Sequence, residues 1–266
     1  MGGGWSADPG EVGVREVLRA VAPDLAGLPL RMNPRVTQGK PLYHSASGWL
    51  GDEFVVKYAW SAVRAERLRR EAALLARLRA LPDAPAVPEV VASSAGPTLF
   101  VTRAVPGVPL SWEMASELTA EGRAAVASEL ALFLGRLHRA DAASLLDGLP
   151  PVVPRAQSDT ARLRADFAAI VDDRRAGQVL GWCEWVDAVL GSSAPLDPVP
   201  VHGDLHGFNQ VWEPVELRLA AVVDLEECGL ADPHFDLRYL PGNAATVDLV
   251  LDVIDADARV NRRRLR

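Results

Sequence analysis

The order of apolar and polar positions divides the chain into a strand-rich first part and a helix-rich second part. Residues 11–30, EVGVREVLRAVAPDLAGLPL, read as a short helix closed by a turn. The run RVTQGKPLYHSASGWLGDEFVVKYAW, residues 35–60, mixes β-formers with turn residues and predicts two or three antiparallel strands. FVVKYAW is the clearest of these. The period changes at Ser61: Leu68, Ala72, Leu75 and Leu78 recur at helical spacing as far as about Leu81, with Arg64, Arg67, Arg70 and Arg77 off that face. The prolines of PDAPAVPEVV stop this helix. GPTLFVTRAVPGVPL then reads as a strand that enters a turn at Pro106 and Gly107.

Beyond that turn the chain becomes mostly helical. Thr119 can cap a helix running to about Arg139, with Val126, Leu130, Phe133, Leu134 and Leu137 as its apolar stripe. A second helical stretch covers about 158–190, after the breaker GLPPVVP. Strand-like flanks, PVPV and QVW, enclose VHGDLHGFNQVW (residues 201–212), and EPVE joins QVW to LRLAAVVD as a hairpin. The tail TVDLVLDVIDADARVNRRRLR reads as helical. The expectation is an α+β chain of two lobes, a small β-rich lobe over residues 1–104 and a larger, mainly helical lobe over 105–266. A chain of 266 residues, 49% of them hydrophobic, is long enough to give both lobes a core and leave a cleft between them.

Composition narrows the possible partners. No apolar run approaches the roughly 20 residues that span a bilayer, so no membrane partner is expected. The formal net charge of −7 argues against nucleic acid and is compatible with a cationic ligand. Cys183 and Cys228 lack the paired spacing of a metal or redox motif and read as idle thiols of a cytoplasmic protein. Of 28 basic residues only Lys40 and Lys57 are lysine, so a lysine kept in this chain draws attention to its ammonium group.

The chemistry concentrates in residues 201–212, which hold two of the five histidines. His202 and His206 are four apart, as zinc-binding histidines on a helix are, but Gly203 and Gly207 interrupt any helix here. Asp204 and Asn209 stand as D-x-x-x-x-N, the spacing with which protein kinases place a proton-accepting carboxylate and a magnesium-binding amide on one loop. An ordinary polar turn would look similar, because that spacing alone is common. The next segment, LRLAAVVDLEECG, ends an apolar strand on Asp224, Glu226 and Glu227. Asp224 either caps a turn or faces the same cleft, where its carboxylate suits a hard, oxygen-loving cation.

Taken together, VHGDLHGFN and VVDLEECGLADPHFDL resemble the aminoglycoside phosphotransferase family, whose pattern is H-G-D-x-x-x-x-N, then D-x-E, then G-x-x-D-P-x-x-D-L. This chain carries His202, Gly203, Asp204 and Asn209, then Asp224 and Glu226, then Gly229, Asp232, Pro233, Asp236 and Leu237. LGRLHRAD, with Leu137, His138 and Asp141, also resembles the family's helix end before the catalytic core. The resemblance implies a protein-kinase-like two-lobed fold and a small-molecule kinase that uses ATP or GTP with Mg2+. It assigns the catalytic carboxylate to Asp204 and the metal to Asn209 and Asp224. The nucleotide phosphates go to Lys57, and backbone groups of Arg103 to Val105 take the adenine. His202 and Asp236 support the loop, and Asp232 either supports or reacts.

The acidic partner of Lys57 is expected on the following helix. Glu71 shares the apolar face, where a lone carboxylate is costly unless paired, whereas Glu66 falls with Arg70 and Arg77 on the solvent side. Gly39 and Gly48 do not form G-x-G-x-x-G, which leaves Ser45 and Ser47 as the candidate phosphate contacts. Glu226 and Glu227, with Asp159, Asp166, Asp172, Asp173 and Glu184, could receive a polycationic acceptor or form solvated faces. An aminoglycoside comes first; a macrolide, choline, homoserine or a sugar are the alternatives, as is a catalytically silent binding module. A monomer or weak dimer is expected. In the family, helices beyond D-P-x-x-D-L complete the acceptor pocket, so the short run 238–266 predicts a reduced one.

Overall fold

The computed structural model describes residues 10–33, 44–152, 160–168, 173–191 and 197–239. The expected helical tail, Lys40, and the possible phosphate loop around Gly39 lie outside them. The chain opens with helix α1 (Glu11–Val21). A five-stranded antiparallel sheet comes next, built from β1 (Leu30–Met32), β2 (Ser45–Leu50), β3 (Phe54–Ala59), β4 (Val90–Ala95) and β5 (Thr98–Arg103) in the order β1-β2-β3-β5-β4. Helix α2 (Ala62–Arg79) connects β3 to β4.

The sheet is packed on both sides, and strand alternation decides what each side receives. Val56 and Tyr58 of β3, with Leu99 and Val101 of β5, join Val14, Val17 and Leu18 of α1 in one core. Phe100 faces the other way, into a second core with Leu68, Leu74, Leu75 and Leu78 of α2. Lys57 lies between Val56 and Tyr58 and pairs across the ladder with Phe100, so it too points to the α2 side. Its ammonium sits 5.8 Å from the centre of the Phe100 ring.

Ser61 starts α2, its hydroxyl accepting from the Arg64 amide. The second core continues through α4 (Ala120–Arg139), which Thr119 caps as expected by accepting from the Gly122 amide. The predicted stripe of Val126, Leu130, Phe133, Leu134 and Leu137 is buried in full. Between sheet and helix lie β6 (Val108–Pro109) and α3 (Trp112–Glu117); after α4 come α5 (Ala142–Leu146), α6 (Thr160–Ala168) and α7 (Asp173–Gly191). The hairpin across EPVE is present as β8 (Gln210–Glu213) paired with β9 (Arg218–Val222), and β6 adds to its edge. Short strands β7 (Val199–Val201) and β10 (Gly229–Ala231) pair antiparallel.

Two features depart from the expected pattern. The segment VVASSA gives no strand signal, because small and polar side chains show no clear alternation. It is the edge strand β4, held by its ladder to β5. Arg70 is expected on the solvent side, yet it is 3% exposed. Its guanidinium can be buried there because it donates to the Pro150 carbonyl at 3.0 Å and to the Cys228 carbonyl. Arg77 is likewise engaged, with the carbonyls of Leu145 and Asp147.

Candidate active site

A cleft of about 410 Å³ opens between the sheet, α2 and the β8–β9 hairpin. Lys57, Glu71, Arg103, Val105, Asn209 and Asp224 all line it, so residues far apart in sequence meet on one surface. Lys57 Nζ donates to Glu71 Oε1 at 2.6 Å and to Asp224 Oδ1 at 2.9 Å. Glu71 is reached because it lies on the face of α2 that carries Leu68 and Leu75 against the sheet, and it is 1% exposed.

Electrostatics in this trio follow from burial and mutual charge. Burial pushes the Glu71 carboxyl up to about 7 against the pull of Lys57, and the nearby Asp224 adds to the rise. Burial also opposes the charge on Asp224, but the Lys57 ammonium, helped by Arg64, brings that carboxyl down to about 2. For Lys57 burial works against the ammonium, and the two carboxylates more than reverse it, so its pKa is raised. The lysine is therefore the firmly charged member, and Glu71 is the group nearest to changing state at neutral pH.

That difference has a sign in stability. A carboxyl raised from 4.5 to about 7 binds its proton more tightly folded than unfolded. Its stabilising effect is full below pH 4.5 and is lost as the pH rises through about 7. Melting temperatures of the wild type and Glu71→Gln, compared between these limits, should show the wild type losing ground to the variant as pH increases. A difference that does not change with pH would mean that Glu71 does not titrate in this range.

Across the cleft the loop after β7 is fixed by a buried aspartate. Asp236 accepts from the His202 amide at 2.7 Å and from the Gly203 amide at 2.9 Å, and is fully buried. The His202 ring donates through Nε2 to the Val223 carbonyl at 3.0 Å, and its Nδ1 accepts from the Asp204 amide at 3.2 Å. These two bonds set one ring orientation and tie the Asp204 loop to the strand that leads into Asp224. Gly203 has φ +89°, and a Cβ there would come within 2.4 Å of the Glu227 carbonyl oxygen, so the turn requires glycine.

The backbone so held leaves the Asp204 carboxylate partly open, with 38% of its side chain accessible. His206 Nε2 stands 3.6 Å from Asp204 Oδ2. The zinc alternative loses its geometry here: His202 faces inward to Val223, while His206 lies beside Asp204. Among the described residues no group of three or more His, Cys, Asp or Glu side chains is arranged to hold a metal.

Asn209 Nδ2 donates to the Asp204 carbonyl at 2.8 Å, which turns its oxygen away from that bond. Asp224 adopts the left-handed conformation, φ +66° and ψ +58°, and its side chain makes no capping bond to the adjoining 3₁₀ turn (Leu225–Glu227). It is directed to Lys57 instead, which answers the turn-cap alternative. A non-glycine residue in that region is strained, and here the strained residue is a cleft carboxylate.

At the strand end the Arg103 amide donates to the Glu89 carbonyl and the Ala104 amide to the Glu53 carbonyl. The Val105 amide has no hydrogen-bond partner among the described residues, and Val105 lines the cleft. Ser45 and Ser47 also line the cleft.

Glu226 and Glu227, expected as contacts of a cationic acceptor, are each engaged within the protein. Glu226 pairs with Arg64, and Glu227 pairs with Arg67 at 2.6 Å and is 5% exposed. Both carboxylates are committed to α2, because the 3₁₀ turn after Asp224 packs against that helix. Asp166 pairs with Arg162 at 3.5 Å, and Glu184 is exposed on α7. Asp159, Asp172 and the Asp173 side chain lie outside the described residues.

Among the cleft residues that sequence reasoning misses are Arg64 and Phe208. Arg64 lines the cleft and donates through Nε to Ser45 Oγ at 2.7 Å. It is expected off the apolar face, but it lies seven positions before Glu71, two helical turns along the same face, and that spacing is the signal that locates it. Phe208 lines the cleft and is 58% exposed, which no periodicity in a glycine-flanked turn could reveal.

The chain is similar to known proteins over most of its length. The family described as "Phosphotransferase enzyme family" matches residues 43–266. The chain is 28% identical over 203 residues to the viomycin phosphotransferase of Streptomyces vinaceus, covering 72% of this chain and 68% of that one. It is 34% identical over 171 residues to the streptomycin 3''-kinase of Streptomyces griseus, spanning 60% of this chain and 58% of that one. The fold is shared with the GDP complex of wild-type aminoglycoside 2'-phosphotransferase-IIIa, at a TM-score of 0.76 and 16% identity over 96% of this chain and 86% of that one. It is shared too with the macrolide 2'-phosphotransferase MphH from Brachybacterium faecium, at a TM-score of 0.66 and 20% identity over 91% of this chain and 81% of that one. The kinase-like fold expected from the sequence is thereby borne out.

Proposed function

The chain belongs to the Phosphotransferase enzyme family, and on that footing we propose that it transfers the γ-phosphate of ATP or GTP to a hydroxyl of a cationic antibiotic, with aminoglycosides first. The observation that carries this reading is the joining of Lys57 to Glu71 and Asp224 in one cleft, beside a loop that presents Asp204 and Asn209. In this reading residues 1–104 are the nucleotide lobe and 105–266 the catalytic and acceptor lobe.

Each residue then has a task. The Val105 amide and the Arg103 carbonyl hold the base edge, and Lys57, oriented by Glu71, holds the phosphates. Asp204 accepts the proton of the acceptor hydroxyl as its oxygen forms a bond to the γ-phosphorus and the bond to the leaving nucleoside diphosphate breaks. His202 and Asp236 keep that carboxylate in place without touching the reacting atoms.

The donors fit magnesium. The Asn209 oxygen is not used by the bond that its Nδ2 makes, and Asp224 offers the carboxylate oxygen not held by Lys57. Together they would hold the ion, which when bound supplies neutralisation of phosphate charge. The chain itself contributes orientation and fixed charge.

The acceptor is supported by the names of the relatives rather than by Glu226 and Glu227, which are paired within the protein. Among the described residues no helix is long and apolar enough to cross a membrane, and Cys183 and Cys228 are free and buried. A cytoplasmic enzyme, monomeric or weakly dimeric, is the corresponding proposal.

The test is transfer of labelled γ-phosphate from ATP and from GTP, with and without a magnesium chelator. The panel comprises streptomycin, kanamycin, viomycin, a macrolide, choline and homoserine. Labelled product from one cationic antibiotic, abolished by the chelator, is the expected result. A nucleotide-dependent rise in melting temperature with no transfer to any member would replace the enzyme with a binding module.

A further inference from the structure

Three arginines of α2 reach three consecutive residues just after Asp224. Arg64 meets the Glu226 carboxylate, Arg67 donates to Glu227 Oε1 at 2.6 Å, and Arg70 donates to the Cys228 carbonyl. Glu227 also bears on the catalytic loop from its other side. A Cβ on Gly203 would stand 2.4 Å from the Glu227 carbonyl oxygen and 3.1 Å from its Cβ, so the two backbones are in direct contact. Asp204 is the next residue.

We infer that the Arg67–Glu227 ion pair is a positioning device that sets the Asp204 loop at a fixed distance from the helix carrying Glu71. The inference rests on the phosphotransferase reading for what that distance is for. Phosphoryl transfer needs the base and the phosphate anchor, here on separate elements, aligned to a fraction of an ångström. Lys57 and Asp224 line the cleft, where a nucleotide and its metal would compete for their contact. Arg67 and Glu227 do not line the cleft, so their contact persists through turnover. With side chains 23% and 6% exposed, the pair is also less screened than a surface ion pair. Glu227 is thus clamped between the Arg67 guanidinium and the Gly203 backbone, and a shift of α2 is passed to Asp204 through it.

The test combines kinetics with amide exchange. With streptomycin and viomycin as acceptor probes, Arg67→Met should lower kcat about 10- to 100-fold, the scale of a misplaced catalytic group. The nucleotide KM should change by less than about twofold, because Lys57, Glu71 and Val105 are untouched. Arg67→Lys, which keeps a cation opposite Glu227, should recover most of the rate. In an Asp204→Ala background, Arg67→Met should cost nothing further, since it acts through that carboxylate. Equal losses in both backgrounds, or a raised nucleotide KM with kcat intact, would overturn the inference.

The second arm needs no acceptor. Deuterium exchange of the 202–209 amides in the full chain should speed up at least about tenfold in Arg67→Met. It should stay unchanged in Arg136→Met, which removes a surface pair with Asp83. Unchanged exchange in Arg67→Met, or the same change in both variants, refutes the coupling. Wild-type transfer by Asp204→Ala would instead refute the assignment of the base, while this arm still judges the contact.

Discussion

Replacing Asp204 with alanine is expected to lower turnover by at least ~100-fold, the usual scale for a lost general base. The structure separates this chemical loss from a structural one. The Asp204 amide is held by His202 Nδ1 and its carbonyl by Asn209 Nδ2, and both bonds use backbone atoms that alanine retains. Gly203 beside it is held by Asp236. The carboxylate itself is partly open and makes no short bond within the described protein beyond its 3.6 Å approach to His206. The variant should therefore fold as the wild type does and bind nucleotide with unchanged affinity. Single-turnover transfer measured beside nucleotide titration checks both halves. A variant with near-wild-type rate would remove Asp204 from the mechanism.

Asp236→Ala should produce the largest loss of stability among the loop residues. The carboxylate satisfies two buried amides, those of His202 and Gly203, and no water can replace it at a fully buried position without rearrangement. Each orphaned donor costs about 1–3 kcal/mol, so roughly 2–6 kcal/mol is at stake. For a chain of this size that corresponds to a fall of roughly 5–15 °C in melting temperature. Activity should fall as well, because the released amides are those that aim Asp204. Asp236→Asn keeps one acceptor oxygen and should lie between. Calorimetric unfolding of the three proteins measures the order; an alanine variant as stable as the wild type would mean that Asp236 does not hold the loop.

The sequence by itself determined a good deal. Period-two alternation in FVVKYAW put Lys57 on the opposite face from Val56 and Tyr58, and the helical period of 62–79 put Glu71 with the leucines. The family resemblance asks for a lysine on that strand and an acidic partner on the following helix, and a carboxylate on an apolar face is costly unless paired, so the two together named Lys57 and Glu71. D-x-x-x-x-N placed Asp204 and Asn209 on one loop because local spacing fixes local geometry. The family pattern added Asp224 and Asp236 to the same site.

What only the tertiary structure decided concerns partners distant in sequence. Periodicity tells which face a side chain leaves from, but not what stands opposite. Arg67, Arg70 and Arg64 therefore read as solvated charges, although α2 packs against the turn after Asp224 and each finds an oxygen there. The same packing pairs Glu226 and Glu227 with arginines of α2. The strained Asp224 and the Gly203 turn pressed on Glu227 were equally hidden, because a backbone conformation is imposed by what crowds it. Burial of charge is legible in a sequence only when its partner is nearby in the chain. Here most partners lie 150 residues or more away, and folding alone brings them together.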